Sequence, residues 1–289
     1  MKILVIGSGF IATSIVQRLE SDGNELLVYS RTASEKIKCH QIEGDIFDFA
    51  DFAKVLAWQP NIIIHTAWIT TPGIYKVDSS NFEYANFTID LANFISNSDV
   101  EHLIILGSCA EYGYQSGPST AGFTKLSPNI LYSEQKVVAF HAVEKILQKS
   151  STRLSWARVF YPYGPYQHEK RLIPLLVHSL KNKIPIRLAD ISSIYDWITT
   201  RDIGSAIAWI IEHELPTEID IGTTFGATNL ELLIKLEELL NTTRQETGYQ
   251  GHEIGVGEVF VAGKNSPLFV SGWLPGDTLR SGLEWVLEG

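Results

Sequence analysis

The chain has 289 residues, 45% hydrophobic and 11% aromatic, enough to bury a large core and too many for one small module. Its formal net charge is −10, its sequence pI is about 5.3, and it has no cluster of lysine or arginine, so nucleic acid is not an expected partner. Two cysteines, Cys39 and Cys109, with no C-x-x-C pair argue against a disulfide framework or a metal site; no run of about 18 apolar residues is present to cross a membrane.

Met1-Lys2 leads directly into the apolar run Ile3–Ile6, which meets a glycine turn too early for a signal peptide, so a cytoplasmic location is expected. Ile3–Ile6, Leu26–Tyr29, Ile62–His65, His102–Leu106 and Leu154–Val159 read as buried strands. Ile11–Glu20, Phe47–Trp58, Phe82–Ser96 and Leu131–Gln148, between them, read as helices. This alternation predicts an α/β fold with a parallel sheet covered on both faces, and the right-handed crossover rule makes it a Rossmann-type doubly wound sheet. After Tyr161 the pattern changes. Tyr161–Tyr166, with two prolines and a glycine, reads as an active-site loop. Arg171–Leu180 is predicted helical and Ile184–Leu188 a strand. Thr200–Glu212 and Glu218–Ile221 form one more helix–strand unit, and Asn229–Leu240 an amphipathic helix. The glycine-rich tail Asn241–Gly289 carries no assignment. The expected division is a nucleotide-binding domain over 1–165, rejoined by 196–221, and a smaller C-terminal substrate-binding lobe over 166–195 and 222–289.

The first strand runs into Gly7-Ser8-Gly9-Phe10-Ile11-Ala12, a G-x-G-x-x-A turn that opens a helix. Gly7 permits the tight turn, Gly9 lets the backbone approach a pyrophosphate, and Ala12 lets the helix pack close to the strand. The free N–H groups at Phe10 and Ile11 and the helix dipole favour the anion. A dinucleotide cofactor is therefore expected. Where an acid would select NAD, the second strand ends in Ser30-Arg31; this pair suits a 2′-phosphate, so NADP is expected over NAD, unless Arg31 is only a solvated loop cation. Asp45-Ile46 follows the third strand, where Asp45 binds the adenine edge or merely starts a turn. His65-Thr66-Ala67-Trp68 ends the fourth strand; the Ala67 backbone is expected to line the crevice and His65 to sit in the core.

Tyr132 and Lys136 lie four residues apart at the start of a helix, on one face. A phenol of pKa about 10 is a poor proton-transfer group at neutral pH, and a neighbouring ammonium lowers it. Tyr132 then exchanges a proton with an alcohol or carbonyl oxygen, Lys136 also holds ribose hydroxyls, and Ser108, at the carboxyl edge of the sheet, donates to the same oxygen.

With these motifs in this order, the chain resembles the extended short-chain dehydrogenase/reductases, the family of nucleotide-sugar epimerases and dehydratases, over nearly its whole length. GSGFIA resembles that family's glycine turn, one residue shortened. GSCAEYG (Gly107–Gly113) resembles S-S-x-x-V-Y-G, and YSEQK matches Y-x-x-x-K. ARVFYPYGPYQ (Ala157–Gln167) resembles the R-x-F-N-V-Y-G-P-x-Q segment beside nicotinamide and substrate, DWITTRDIGSAI (Asp196–Ile207) resembles R-D-F-x-x-V-D-D-V-x-x-A, and SGWLPGDTLRSGLEWVLE resembles the L-G-W-x-P ending. The resemblance places Asn86 and Tyr161 near the cofactor and implies a homodimer through the helices Phe82–Ser96 and Leu131–Gln148. It implies a nucleotide-sugar substrate and either a 4-ketoreductase or an epimerase, with Arg31 tilting the expectation to the NADPH-consuming reductase. There are departures. Cys109-Ala110 stands where the dehydratases carry Asp-Glu, so dehydration is not expected, and Cys109 reads as a small packed residue at the substrate's edge. Tyr195 replaces an arginine that contacts the substrate diphosphate, and a C-terminal arginine near Val259–Phe260 is missing. Arg187, then Arg171 or Lys170, are the substitutes expected. The alternatives are a reductase of a small non-nucleotide carbonyl, or a non-catalytic dinucleotide sensor.

Overall fold

β1 (Lys2–Ile6) is buried at every position after Lys2 because helices cover both of its faces: Ile3 and Val5 enter one core, Leu4 and Ile6 the other. The computed structural model describes residues 1–188, 190–244 and 257–288. α1 (Phe10–Ser21) follows, then β2 (Glu25–Ser30), β3 (His40–Glu43), α2 (Phe49–Leu56), β4 (Ile62–His65), α3 (Ser80–Ile95), β5 (His102–Ser108), α4 (Leu131–Leu147) and β6 (Arg153–Val159). Next come β7 (Tyr161–Tyr163), α5 (Leu172–Lys181), β8 (Ile194–Tyr195), β9 (Trp197–Thr199), α6 (Thr200–Glu212) and β10 (Glu218–Ile221).

Seven strands pair in parallel in the order β10-β6-β5-β4-β1-β2-β3. This is the doubly wound Rossmann-type sheet expected. Strand order reverses between β1 and β4, and the crevice beyond the carboxyl ends of those strands is where such sheets bind ligands. One face is covered by α1 and α6, through Ile15, Val16 and Leu19 against Ile203, Ile207 and Ile210. The other is covered by α2, α3 and α4, through Phe52, Leu91, Ile95, Phe140 and Val143. Gly204 lets α6 cross α1 closely: a Cβ there would lie 2.8 Å from the Ser14 carbonyl.

The rest of the chain is β11 (Ala227–Thr228), α7 (Asn229–Leu240), β12 (Val259–Phe260), α8 (Pro267–Val270) and α9 (Leu279–Glu288). β8 joins β11 antiparallel and β12 parallel in a small sheet. α7 begins in a reciprocal cap between Thr228 and Glu231, and its Leu232, Leu233 and Leu236 pack on Ile173, Leu176 and Leu180 of α5.

The predicted strand Ile184–Leu188 does not form. Pro185 lacks the N–H a ladder needs, and Ile186 and Leu188 instead pack as irregular chain on the α5–α7 core. The expected loop at Tyr161 contains β7, paired with β9. In the unassigned tail β12, α8 and α9 form, while 245–256 and 289 lie outside the described residues. Among the described residues, no helix is long and apolar enough to cross a membrane, and no group of His, Cys, Asp and Glu is placed to hold a metal ion.

Candidate active site

At the end of β1, Gly7 turns with φ +110°, and a Cβ there would meet Thr66 Oγ1 at 2.5 Å. Only glycine fits both the conformation and the approach. Gly9 caps α1 with no side chain, and a Cβ on it would meet nothing within 4 Å, leaving the helix N-terminus open to an anion. A cleft of about 370 Å³ opens there. Its walls include Gly7, Gly9, Phe10, Ile11, Ser30, Arg31, Ile46 and Ala67, together with the side chains of Trp68 and Tyr84. This shape suits a dinucleotide: glycine backbone for the pyrophosphate, apolar and aromatic walls for the rings.

Four expected cofactor residues lie outside that wall. Asp45 is exposed, and its carboxylate accepts from the N–H of Phe47 at 3.0 Å. Asn86 is exposed on α3. The helix side chain that does reach the crevice wall is Asn81: fully buried, it accepts from the Trp68 indole at 2.8 Å and donates to the carbonyls of Tyr75 and Asp78. Lys136 and Tyr161 belong to the deeper site. The case for a 2′-phosphate also weakens, because Ser30 is buried and its hydroxyl donates to the Thr32 carbonyl at 2.9 Å, leaving Arg31 alone.

Beyond Trp68 the ends of β5 and α4 meet. Ser108 N-caps a 3-10 turn, Cys109–Tyr112, and its Oγ accepts from the N–H of Ala110 at 3.2 Å. Lys136 is 2% exposed; Nζ donates to the Leu106 carbonyl at 2.8 Å, lies 3.9 Å from the centre of the Trp68 ring and 5.4 Å from that of Tyr132. Burial pushes this ammonium down to about 8, with Glu111 opposing the shift. The Tyr132 ring stands edge-on to Tyr75 at 5.1 Å and to Trp68 at 6.4 Å. Burial and then Tyr75 push its phenol well above the ordinary value, while a hydrogen bond from Ser108 works the other way. Burial and then the Lys136 charge hold His65 near 3, as a neutral core group bonded to Thr88 at 2.9 Å.

On the substrate side, Cys109 is 7% exposed and packs with Tyr112, Phe160 and Ala262; burial pushes its thiol up, leaving it inert. Tyr161 lies against Tyr195 at 4.5 Å, and Tyr195 stacks on Phe260 at 5.6 Å. The Tyr195 hydroxyl donates to Asp190 at 2.6 Å. Although burial acts against it, that bond and those from Ser193 and Ser192 hold Asp190 at about 2. An aromatic cluster with an adjacent anion thus stands where the arginine was missing. Arg171 reaches the site's edge: Nη2 donates to the Thr70 carbonyl at 2.7 Å, and the guanidinium lies 5.2 Å from the ring of Tyr75, which touches Tyr132. Arg187 is exposed, and among the described residues no hydrogen bond or ring contact links it to Ser108, Tyr132 or Lys136. Lys170 is exposed too.

A glycine cradle at the switch point of a parallel sheet, with a serine, a tyrosine and a buried lysine beside it, defines a dinucleotide-dependent class of enzyme. Residues 3–222 match the sequence model of the NAD dependent epimerase/dehydratase family, and the chain belongs to that family. A UDP-glucose 4-epimerase of Rhizobium leguminosarum bv. trifolii is 24% identical, covering 98% of this chain and 96% of its own. Two solved structures share the fold over 100% of this chain and 98% of theirs, each with a TM-score of 0.85: UDP-glucose 4-epimerase from Thermotoga maritima with UDP-glucose, 19% identical, and UDP-glucose 4-epimerase from Thermus thermophilus in complex with NAD, 21% identical.

Proposed function

We propose that this chain is an NAD-dependent epimerase of a nucleotide sugar. The observation that carries the reading is the meeting of Ser108, Tyr132 and Lys136 at the inner end of the dinucleotide cleft. NAD, when bound on the Gly7–Ile11 turn, supplies a reversible hydride acceptor next to these groups. Burial holds the proton on Tyr132; the Lys136 ammonium and the positive charge of the oxidised nicotinamide oppose this, so that Tyr132 as phenolate takes the proton of a sugar hydroxyl and later returns it. Lys136 stabilises the phenolate, and the Ser108 hydroxyl donates to the sugar oxygen. Hydride and proton both leave and both come back, so the reaction is redox-neutral. The spent Ser30 hydroxyl and the NAD held by the Thermus neighbour favour NAD over the NADP first expected, and with it the epimerase over the reductase. Dehydration needs an acid and a base after the serine; here stand a buried Cys109 and Ala110. Arg171, at the edge of the site, is the cation we assign to the substrate diphosphate. The test is incubation with NAD and a panel of nucleoside-diphosphate sugars, followed by NMR of the sugar ring. Inversion at one carbon without net NADH is expected; stoichiometric consumption of NADPH would restore the reductase.

A further inference from the structure

The turn after β5 carries a carboxylate that proton transfer as described does not use. Glu111 is fully buried, and three donors converge on it: the main-chain N–H of Ser108 at 2.8 Å, the Trp156 indole at 3.0 Å and Arg158 Nε at 2.7 Å. Arg158 is fully buried as well and has a second carboxylate, Glu218, at 2.7 Å. Two carboxylates on one guanidinium leave this cluster with a net negative charge directly behind Ser108. Across the same site, the Lys136 ammonium is held by a carbonyl and an indole face; among the described residues no carboxylate makes a salt bridge to it. A buried cation in that position needs an anion nearby.

We propose that Glu111 is a positioning residue of the proton-transfer site, fixing Ser108 through its main-chain N–H and serving as the buried anion that balances Lys136. The proposal rests on the functional reading above. Burial discharges Lys136 and Glu111 opposes this; the same carboxylate adds to the rise of the Tyr132 phenol. The other titratable and charged groups facing the pair are Arg158 from β6, Tyr112 and Cys109 from the turn itself, His65 from β4, neutral as shown, and Tyr75 from the segment after β4. A carboxylate serving only as counter-ion to Arg158 would leave the titration of Lys136 untouched.

Trp68 provides a readout independent of substrate, because the Lys136 ammonium lies over its ring. Tryptophan fluorescence of the full chain is titrated with pH, with Lys136→Met as the baseline. A transition at about 8 is expected in the parent chain. Glu111→Gln keeps the acceptor for the Ser108 N–H and removes the charge, which makes the ammonium easier to deprotonate. The transition then moves to lower pH by about one unit, a ten-fold change in the protonation equilibrium. Glu218→Gln removes the other carboxylate on Arg158 and leaves the transition in place. An unmoved transition in Glu111→Gln overturns the proposal. If that variant fails to fold because Arg158 loses a partner, the double variant Glu111→Gln, Arg158→Met is compared with Arg158→Met alone, so that the two differ only in the carboxylate; a transition at the same pH in both overturns the proposal. A shifted titration in a chain that turns over no nucleotide sugar sinks the epimerase reading and leaves the assignment of Glu111 standing.

Discussion

Tyr132 has two neighbours that set its chemistry in opposite senses. Burial and then Tyr75 hold the proton on, while the hydrogen bond from Ser108 favours its loss. Tyr132→Phe keeps the packing against Trp68 and Tyr75 and removes only the proton path. It is expected to bind NAD normally in a calorimetric titration and to lose turnover by about 10²–10⁴-fold; more than about a tenth of the parent rate would reject the acid-base role. Arg171 is a separate case, since its guanidinium sits above Tyr75 and outside the NAD cleft. Arg171→Ala should weaken nucleotide-sugar binding, by roughly ten-fold or more for the loss of a charge-assisted contact of about 1.5–3 kcal/mol, with NAD affinity unchanged. If binding does not change, the diphosphate has another partner.

Element by element, the site hangs on where α1 begins, and α1 is located by its crossing with α6. Ser14 donates to Thr200 at 2.8 Å, and Gly204 allows the two backbones to approach. In Gly204→Val the Cβ alone would lie 2.8 Å from the Ser14 carbonyl oxygen and 3.2 Å from Arg18 Cβ. Thermal unfolding should show a loss of about 1–3 kcal/mol from overpacking, and NAD binding should weaken because the helix end that meets the pyrophosphate shifts. An unaltered NAD affinity in a folded Gly204→Val chain would mean that the crossing does not place the cradle. The cradle itself was legible in the sequence, since Gly7 answers a backbone demand that no other residue meets and Gly9 leaves the helix end open, and so was the alternation of β-branched runs with helical periods. Other residues were illegible for physical reasons. Glu111 in a turn reads as a solvated carboxylate, because its donors Trp156 and Arg158 come from a strand far along the chain. Trp68 and Asn81 have no spacing that announces their bond. Asn86 matches a motif by position and is exposed on α3. Arg187 stands exposed in a stretch that forms no strand to aim it.

For the whole molecule, α3 and α4 cover one face of the sheet and leave their outer sides bare. Phe82 is 49% and Val138 51% exposed. On α4 the exposed residues Glu134, Val138, His141 and Lys145 recur at helical spacing and form one continuous stripe. An acid near one end of that stripe and a base near the other make it self-complementary about a two-fold axis, since antiparallel copies bring Glu134 toward the partner's Lys145. We therefore propose a homodimer that pairs α3 and α4 with their copies, the arrangement implied by the family resemblance. Light scattering at micromolar concentration should give twice the 32.3 kDa chain mass. Val138→Glu puts an unpaired charge at the centre of the stripe and should give the monomer with unchanged helical circular dichroism, because Val138 contributes little to the core. A parent chain that is strictly monomeric would remove the proposal, and so would a Val138→Glu chain that stays dimeric, which would place the interface on another face.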